Sequence, residues 1–296
     1  LEIAHEGHVD HAIRVAIAAG APVIPCYRAA TLGAAMAFGL TDRGLIAPGR
    51  RADVVLLDDL PSVAVAAVVC GGRPVEAALL EGRVHPDPPG YGSVRRPPVD
   101  AAAFAVPAVG RPTPVIGVVP FSLLTERLEL DLPTVAGRRV ADPAAGVLKA
   151  AVLERHGRNG NIGLGFVRGF GPLRGALGTS VGHDSHNLTV VGDDDADMAL
   201  AVARLIALGG GCVVVQDGAV LAELPLPIAG LMSDRPLAVV SEALAAIRAA
   251  AETIGCTLVE PMLQLAFLPL PVIPHLKLTD RGLVAAGPDG LALIPL

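Results

Sequence analysis

Apolar positions along this chain recur in two periods, and the change from one to the other organises it. Val9, Ala12, Ile13, Ala16 and Ile17 repeat at helical spacing, and Gly20 and Pro22 then follow in the order that closes a helix. A second helix is expected from Pro25, a first-turn residue, to about Phe38, with Gly39 after it. The period then shortens. Residues 53–57 and 63–69 read as strands, the second meeting Gly71-Gly72, a hairpin signal, and 79–84 as a further short strand. Residues 86–98 hold five prolines and can form neither ladder nor helix, which places a linker and a domain boundary there.

Beyond the prolines the pattern is that of one α/β domain. Residues 115–119, 123–130, 147–154 and 188–191 are strand-like apolar runs. In 161–168, Ile162, Leu164 and Phe166 share one face, and Gly163 and Gly165 share the other. A strand with glycines on one side invites close approach by another backbone or a ligand. Asp193, Asp194, Asp195 and Asp197 crowd a helix start, with Asp193 as a candidate cap. That helix ends at Gly209-Gly210-Gly211. Residues 212–216, Asp217-Gly218 and 219–224 read as a tight hairpin. A last helix is expected near Ser233-Asp234, with Pro236 in its first turn, Leu237, Val240, Leu244, Ile247, Ala251 and Ile254 on its buried face, and Gly255 closing it. Residues 224–231 and 267–276 are apolar but broken by proline, which suits pocket walls, an interface or plain core packing.

Composition narrows the function class. With 52% hydrophobic and 18% charged residues, the 296-residue chain has ample material for a core. A net charge of −6, two lysines and no basic stripe argue against a nucleic-acid partner. The longest apolar tract, 199–215, contains Arg204 and three glycines, which argues against a membrane span. Cys26, Cys70, Cys212 and Cys256 are too scattered for a zinc knuckle and fit reduced thiols in the cytoplasm. The chain opens inside a helix without an initiator Met, so it is expected to be a fragment of a longer protein.

Chemistry concentrates at residues 183–187, where His183, Asp184, Ser185, His186 and Asn187 follow one another on a turn leading into a strand. An unpaired carboxylate in such apolar surroundings would cost several kcal/mol, roughly, if buried, so Asp184 is expected at the surface or paired with His183 or His186. Two readings stand open: a functional cluster, or an Asx- or Ser-turn that satisfies its own backbone with the histidines incidental. His8 and His11 would share a helix face as a metal half-site, but without the Glu of a zincin motif a capping or loop role is favoured. No GxGxxG or Walker pattern is present, so a nucleotide-phosphate site is rejected.

The segments Glu6-Gly-His-Val-Asp-His11, Ala30-Thr-Leu32, Phe38-Gly-Leu40 and 44–57 (Gly-Leu-Ile-Ala-Pro-Gly-Arg-Arg-Ala-Asp-Val-Val-Leu-Leu) resemble the end of an amidohydrolase-superfamily barrel. Glu154-Arg-His-Gly157, 160–171, 180–187, Gly209-Gly-Gly211, 224–234 and 278–283 resemble, in order, the carboxy-terminal domain of the adenine deaminase family. Departures are Gly33-Ala34 in place of Asn-Pro, and Gly182 in place of Ala. The resemblance implies an α/β fold: the end of a (β/α)8 barrel at 1–40, β-sandwich return strands at 41–85, a Pro-rich linker at 86–110, and an appended α/β domain at 111–296. It implies hydrolytic deamination of adenine to hypoxanthine and ammonia, with a divalent metal pair, Mn2+ or Fe2+, in the full-length enzyme and none in this fragment. The family's metal ligands cannot be assigned to residues here. His183, Asp184 and His186 are the candidate catalytic residues, and Ser185 and Asn187 the candidate substrate-binding residues. They are expected to face the barrel mouth, where imidazoles can move protons near neutral pH. Adenine is the expected partner, in a homo-oligomer. Another cyclic amidine or amide hydrolase of the superfamily, or a stand-alone binding module, are the alternatives.

Overall fold

The computed structural model describes residues 2–76, 89–287 and 290–296, in two compact units, Leu1–Pro86 and Asp87–Leu296. The expected strand at 79–84 lies outside the described residues. In the first unit, α1 (Val9–Ala18) ends where the sequence places its stop, with Gly20 at φ +94°. The chain is helical again over 23–37 (α2), with a π-type turn at Ala29–Gly33 in its middle. Strands β1 (Val54–Asp59), β2 (Ala64–Cys70) and β3 (Arg73–Pro74) form an antiparallel sheet. Gly71 and Gly72, both at positive φ, make the expected turn, and Asp53 accepts the Gly71 N–H at 2.7 Å. A closed barrel or a second sandwiching sheet is not formed by the described residues. Only Ile13, Ala35 and Val63 among the unit's described apolar residues are buried, whereas Ile24, Met36, Phe38, Ile46, Val55 and Leu56 are exposed.

The second unit is built on a twisted eight-stranded sheet: β4 (Thr113–Val118), β5 (Thr125–Leu130), β6 (Val147–Leu153), β7 (Ile162–Arg168), β8 (Ala176–Thr179), β9 (Leu188–Gly192), β10 (Gly211–Gln216) and β11 (Ala219–Pro225). Their spatial order is β11-β10-β8-β9-β6-β7-β4-β5, and only β7–β4 is parallel. Helix α3 (Asp195–Ala207) covers one face, with Met198, Val202 and Leu205 against Leu153, Leu188 and Val190. The other face carries α4 (Leu237–Thr253), α5 (Pro261–Phe267) and a three-stranded sheet, β12 (Leu276–Thr279), β13 (Gly282–Gly287) and β14 (Gly290–Ile294). Burial on both faces explains why 147–153 reads as an apolar run broken only by Lys149.

The glycine face of β7 lies close against β12 and β13: a Cβ on Gly163 would lie 1.8 Å from the Thr279 carbonyl oxygen and 2.7 Å from the Gly282 nitrogen, and one on Gly165 would lie 3.0 Å from the Leu283 side chain. At the acidic helix start the cap is Asp194, one residue later than expected, accepting the N–H groups of Ala196 and Asp197. Its neighbours are not simply solvated. Asp193 accepts the Gly175 N–H, Asp195 pairs with buried Lys149, and Asp197 takes the N–H groups of Asp217 and Gly218 in the hairpin turn. The last long helix begins at Leu237, later than Ser233-Asp234, because Pro236 stands at its cap rather than inside it. The Pro-rich stretch carries Phe104, fully buried in the second unit, whose carbonyl accepts from the Lys149 ammonium.

Lys277 is a second buried lysine, donating to the carbonyls of Leu123 and Phe267 at 2.7 and 3.1 Å, and burial lowers its pKa to about 8. A depressed folded value means the unfolded chain holds this proton more tightly. Its contribution is therefore lost as pH falls through 8 and regained as pH rises toward the ordinary 10.5. Relative to Lys277→Met, the parent protein should gain on the order of 3 kcal/mol between those limits, read by denaturant unfolding across pH. The buried thiols of Cys212 and Cys256, which burial pushes up instead, titrate in both proteins and cancel in the difference.

Candidate functional site

Residues 180–187 form the loop of the antiparallel β8–β9 hairpin, as the sequence placed them. The loop is not a simple turn. Asp184 and His186 both take left-handed backbone angles, φ +44° and +47°, which non-glycine residues rarely adopt. Such strain persists only where surrounding structure enforces it. Several attachments do so. His186 donates its N–H to the Gly182 carbonyl at 2.9 Å, and His183 donates its N–H to the Ala266 carbonyl of α5 at 3.1 Å. The His183 ring lies nearly parallel on the Phe267 ring, with centroids 5.4 Å apart. Buried Gly182 fits close against Pro269, where a Cβ would sit 3.0 Å from Cγ.

A further attachment comes from the end of β6. Arg155, almost fully buried, donates through Nε to the His186 carbonyl, through Nη1 to Ser93 Oγ at 3.2 Å and through Nη2 to the Ala229 carbonyl at 2.8 Å. Gly230 makes room for it, since a Cβ there would fall 2.1 Å from Nη1. His156 donates from Nε2 to the Ser185 carbonyl at 2.9 Å. Glu154 anchors this strap. Burial pushes its carboxyl pKa up, but hydrogen bonds from the N–H groups of Gly160, Arg158, His156 and Asn159 outweigh that and hold it below the usual range.

The five candidate residues are therefore brought to one loop but face different surroundings. His183, Asp184 and Ser185 are exposed, His186 is half-buried and Asn187 is buried. Asp184 lies at the surface and forms no ion pair among the described residues. Asn187 turns inward, where its Oδ1 accepts the Arg155 N–H at 3.4 Å. His186 Nδ1 is buried and has no hydrogen-bond partner among the described residues. Its pKa is lowered, first by burial and then by the charge of Arg155, with His183 and His156 in the same direction and Asp184 opposing. A neutral imidazole with a free ring nitrogen can accept a proton, and an exposed, flat-backed His183 can lie against a planar ligand.

Arg155, His156, Ser93 and Phe267 were not among the sequence candidates. The charged triplet Glu154-Arg155-His156 closing an apolar strand was the available signal. Elsewhere, exposed His8 makes no side-chain cap, although its N–H meets Asp10 at 2.8 Å, and His11 lies 3.3 Å from Glu6. Among the described residues no three His, Cys, Asp or Glu side chains converge to hold a metal ion. No described helix is long and apolar enough to cross a membrane.

Comparison with known proteins matches residues 122–287 to the adenine deaminase C-terminal domain and residues 4–75 to the amidohydrolase family. An adenine deaminase of Methylobacterium nodulans is 62% identical over 96% of this chain and 50% of its own length. One from Methylobacterium sp. strain 4-46 is 58% identical over 100% of this chain and 52% of its own, and one from Gluconobacter oxydans is 57% identical over 96% and 50%. The chain thus spans about half the length of the curated relatives it matches.

Proposed function

Because this chain belongs to the adenine deaminase family, we propose that the complete protein hydrolyses adenine at C6, consuming water and giving hypoxanthine and ammonia. The observation that carries this reading is the name adenine deaminase on relatives 57–62% identical over nearly all of the chain. In the same reading the first unit closes an amidohydrolase barrel and supplies its β-sandwich return strands. The enzyme is a cytoplasmic homo-oligomer, for which its four unbridged cysteines offer the support of a reduced compartment.

The loop 183–187 serves the reaction. His186, held neutral, accepts a proton. His183 holds or protonates the base. Asp184 raises the proton affinity of His186 through its charge, and Ser185 and Asn187 orient the loop through their contacts with His156 and Arg155. The divalent metal pair assigned to the complete enzyme, Mn2+ or Fe2+, has no three-ligand cluster among the described residues, and none of these roles depends on one.

Ammonia release from a panel of purines and cyclic amides by the complete protein tests the reading. Turnover of adenine above all others is the expected result, and none with adenine would transfer the site to another hydrolase of the superfamily. A second reading, that the loop only braces the fold, draws on the burial of Asn187 and the tie from His156 to the Ser185 carbonyl.

A further inference from the structure

A buried arginine is ordinarily matched by a carboxylate, because an unmatched guanidinium is costly to remove from water. Arg155 is 2% exposed, and burial lowers its pKa, with no carboxylate among the described residues offsetting it. Its planar fork is given instead to three neutral oxygens on three loops that are distant in sequence: Ser93, His186 and Ala229. Two further bonds fix the strand end that carries it. Its N–H meets Asn187 Oδ1, and its carbonyl accepts the Arg95 N–H at 2.7 Å. Gly230 keeps the space open, and Ser180 Oγ in turn donates to the Gly230 carbonyl at 2.6 Å. One side chain therefore sets the relative positions of the loop that bears the imidazoles and of the two loops beside it.

We propose that Arg155 is a positioning residue for the deamination, holding the His186 carbonyl so that the left-handed turn at 184–186 aims the imidazoles of His183 and His186. Its charge has a second effect on the same group. The charged and titratable groups acting on His186 are Arg155, His183 and His156, which lower its proton affinity, and Asp184, which raises it. Loss of the guanidinium removes the strongest of the charges that keep His186 unprotonated. The proposal rests on the reading that this loop serves the reaction, and the experiment separates the two.

In the complete protein, Arg155→Lys, Arg155→Met, Gly230→Ala and His186→Asn are compared for kcat and KM with adenine across pH, and the His186 imidazole is titrated by NMR. Arg155→Lys, which keeps the charge but not the fork, should lower kcat at least ~10-fold with the acid limb unmoved. Arg155→Met should lower it further and raise both the acid limb and the His186 titration by about half a pH unit or more. Gly230→Ala, whose Cβ displaces the guanidinium without removing it, should resemble Arg155→Lys. Folded Arg155 variants that keep kcat within about twofold of the parent, or an unmoved His186 titration in Arg155→Met, overturn the proposal. Should neither Arg155 variant fold, full turnover in Gly230→Ala overturns it. If His186→Asn abolishes turnover while the Arg155 and Gly230 variants retain it, the positioning role alone fails. If His186→Asn retains full turnover, the reading fails and the proposal with it.

Discussion

His186→Asn in the complete protein is expected to lower kcat for adenine about 10²- to 10⁴-fold, the usual worth of a positioned acid–base group, with little change in melting temperature. Asn keeps a polar side chain of similar reach but cannot take up a proton. The imidazole is half-buried with an unpartnered Nδ1, and burial and the Arg155 charge hold its pKa below the usual 6.5. The proton-accepting form therefore persists to more acidic pH than that of a free histidine, and the acid limb of kcat/KM should lie below pH 6.5. His183→Asn should cost less in kcat and more in KM, because it removes the ring stacked on Phe267. Unchanged turnover in both variants with a lowered melting temperature would make the loop a brace and nothing more.

The second large effect is structural. Gly163→Ala should destabilise the protein by at least ~3 kcal/mol, at the upper end of overpacking penalties. The new methyl would fall 1.8 Å from the Thr279 carbonyl oxygen and 2.7 Å from the Gly282 nitrogen, so a main-chain turn, not a flexible side chain, must move. That turn joins β12 to β13, and β12 carries buried Lys277. Gly110→Ala is the control. It meets nothing within 4 Å and has no positive φ, so it should be within about 0.5 kcal/mol of neutral. Chemical denaturation of the two variants beside the parent provides the comparison, and equal midpoints would remove the packing argument.

What could be read in advance was what depends on neighbours in sequence. The stop at Gly20, the Asp217-Gly218 hairpin, with both residues at positive φ, and the bare face of β7 follow from backbone sterics a few residues long. Capping at Asp194 instead of Asp193 is the one-residue error expected when four acids compete for the same helix start. The short helix at Pro261–Phe267 and the meander of β12 to β14 were missed because their apolar residues belong to a core supplied by other segments. The candidate loop was legible as a run of polar residues, but Arg155 was not. Nothing near Arg155 in sequence indicates that residues 93, 186 and 229 converge on it.

Strand β6 pairs with β7, its neighbour in sequence, and with β9, which begins at Leu188. Until β9 is in place, the far side of β6 is an open edge of seven residues, Val147–Leu153, all apolar except Lys149. Such an edge attracts other chains during slow, long-range sheet assembly. Lys149 interrupts it with a charge, and Asp195 receives that charge once α3 docks. The residue that forms an ion pair in the finished protein is thus also the one charge on that strand, the type of residue that discourages an apolar edge from pairing with other chains.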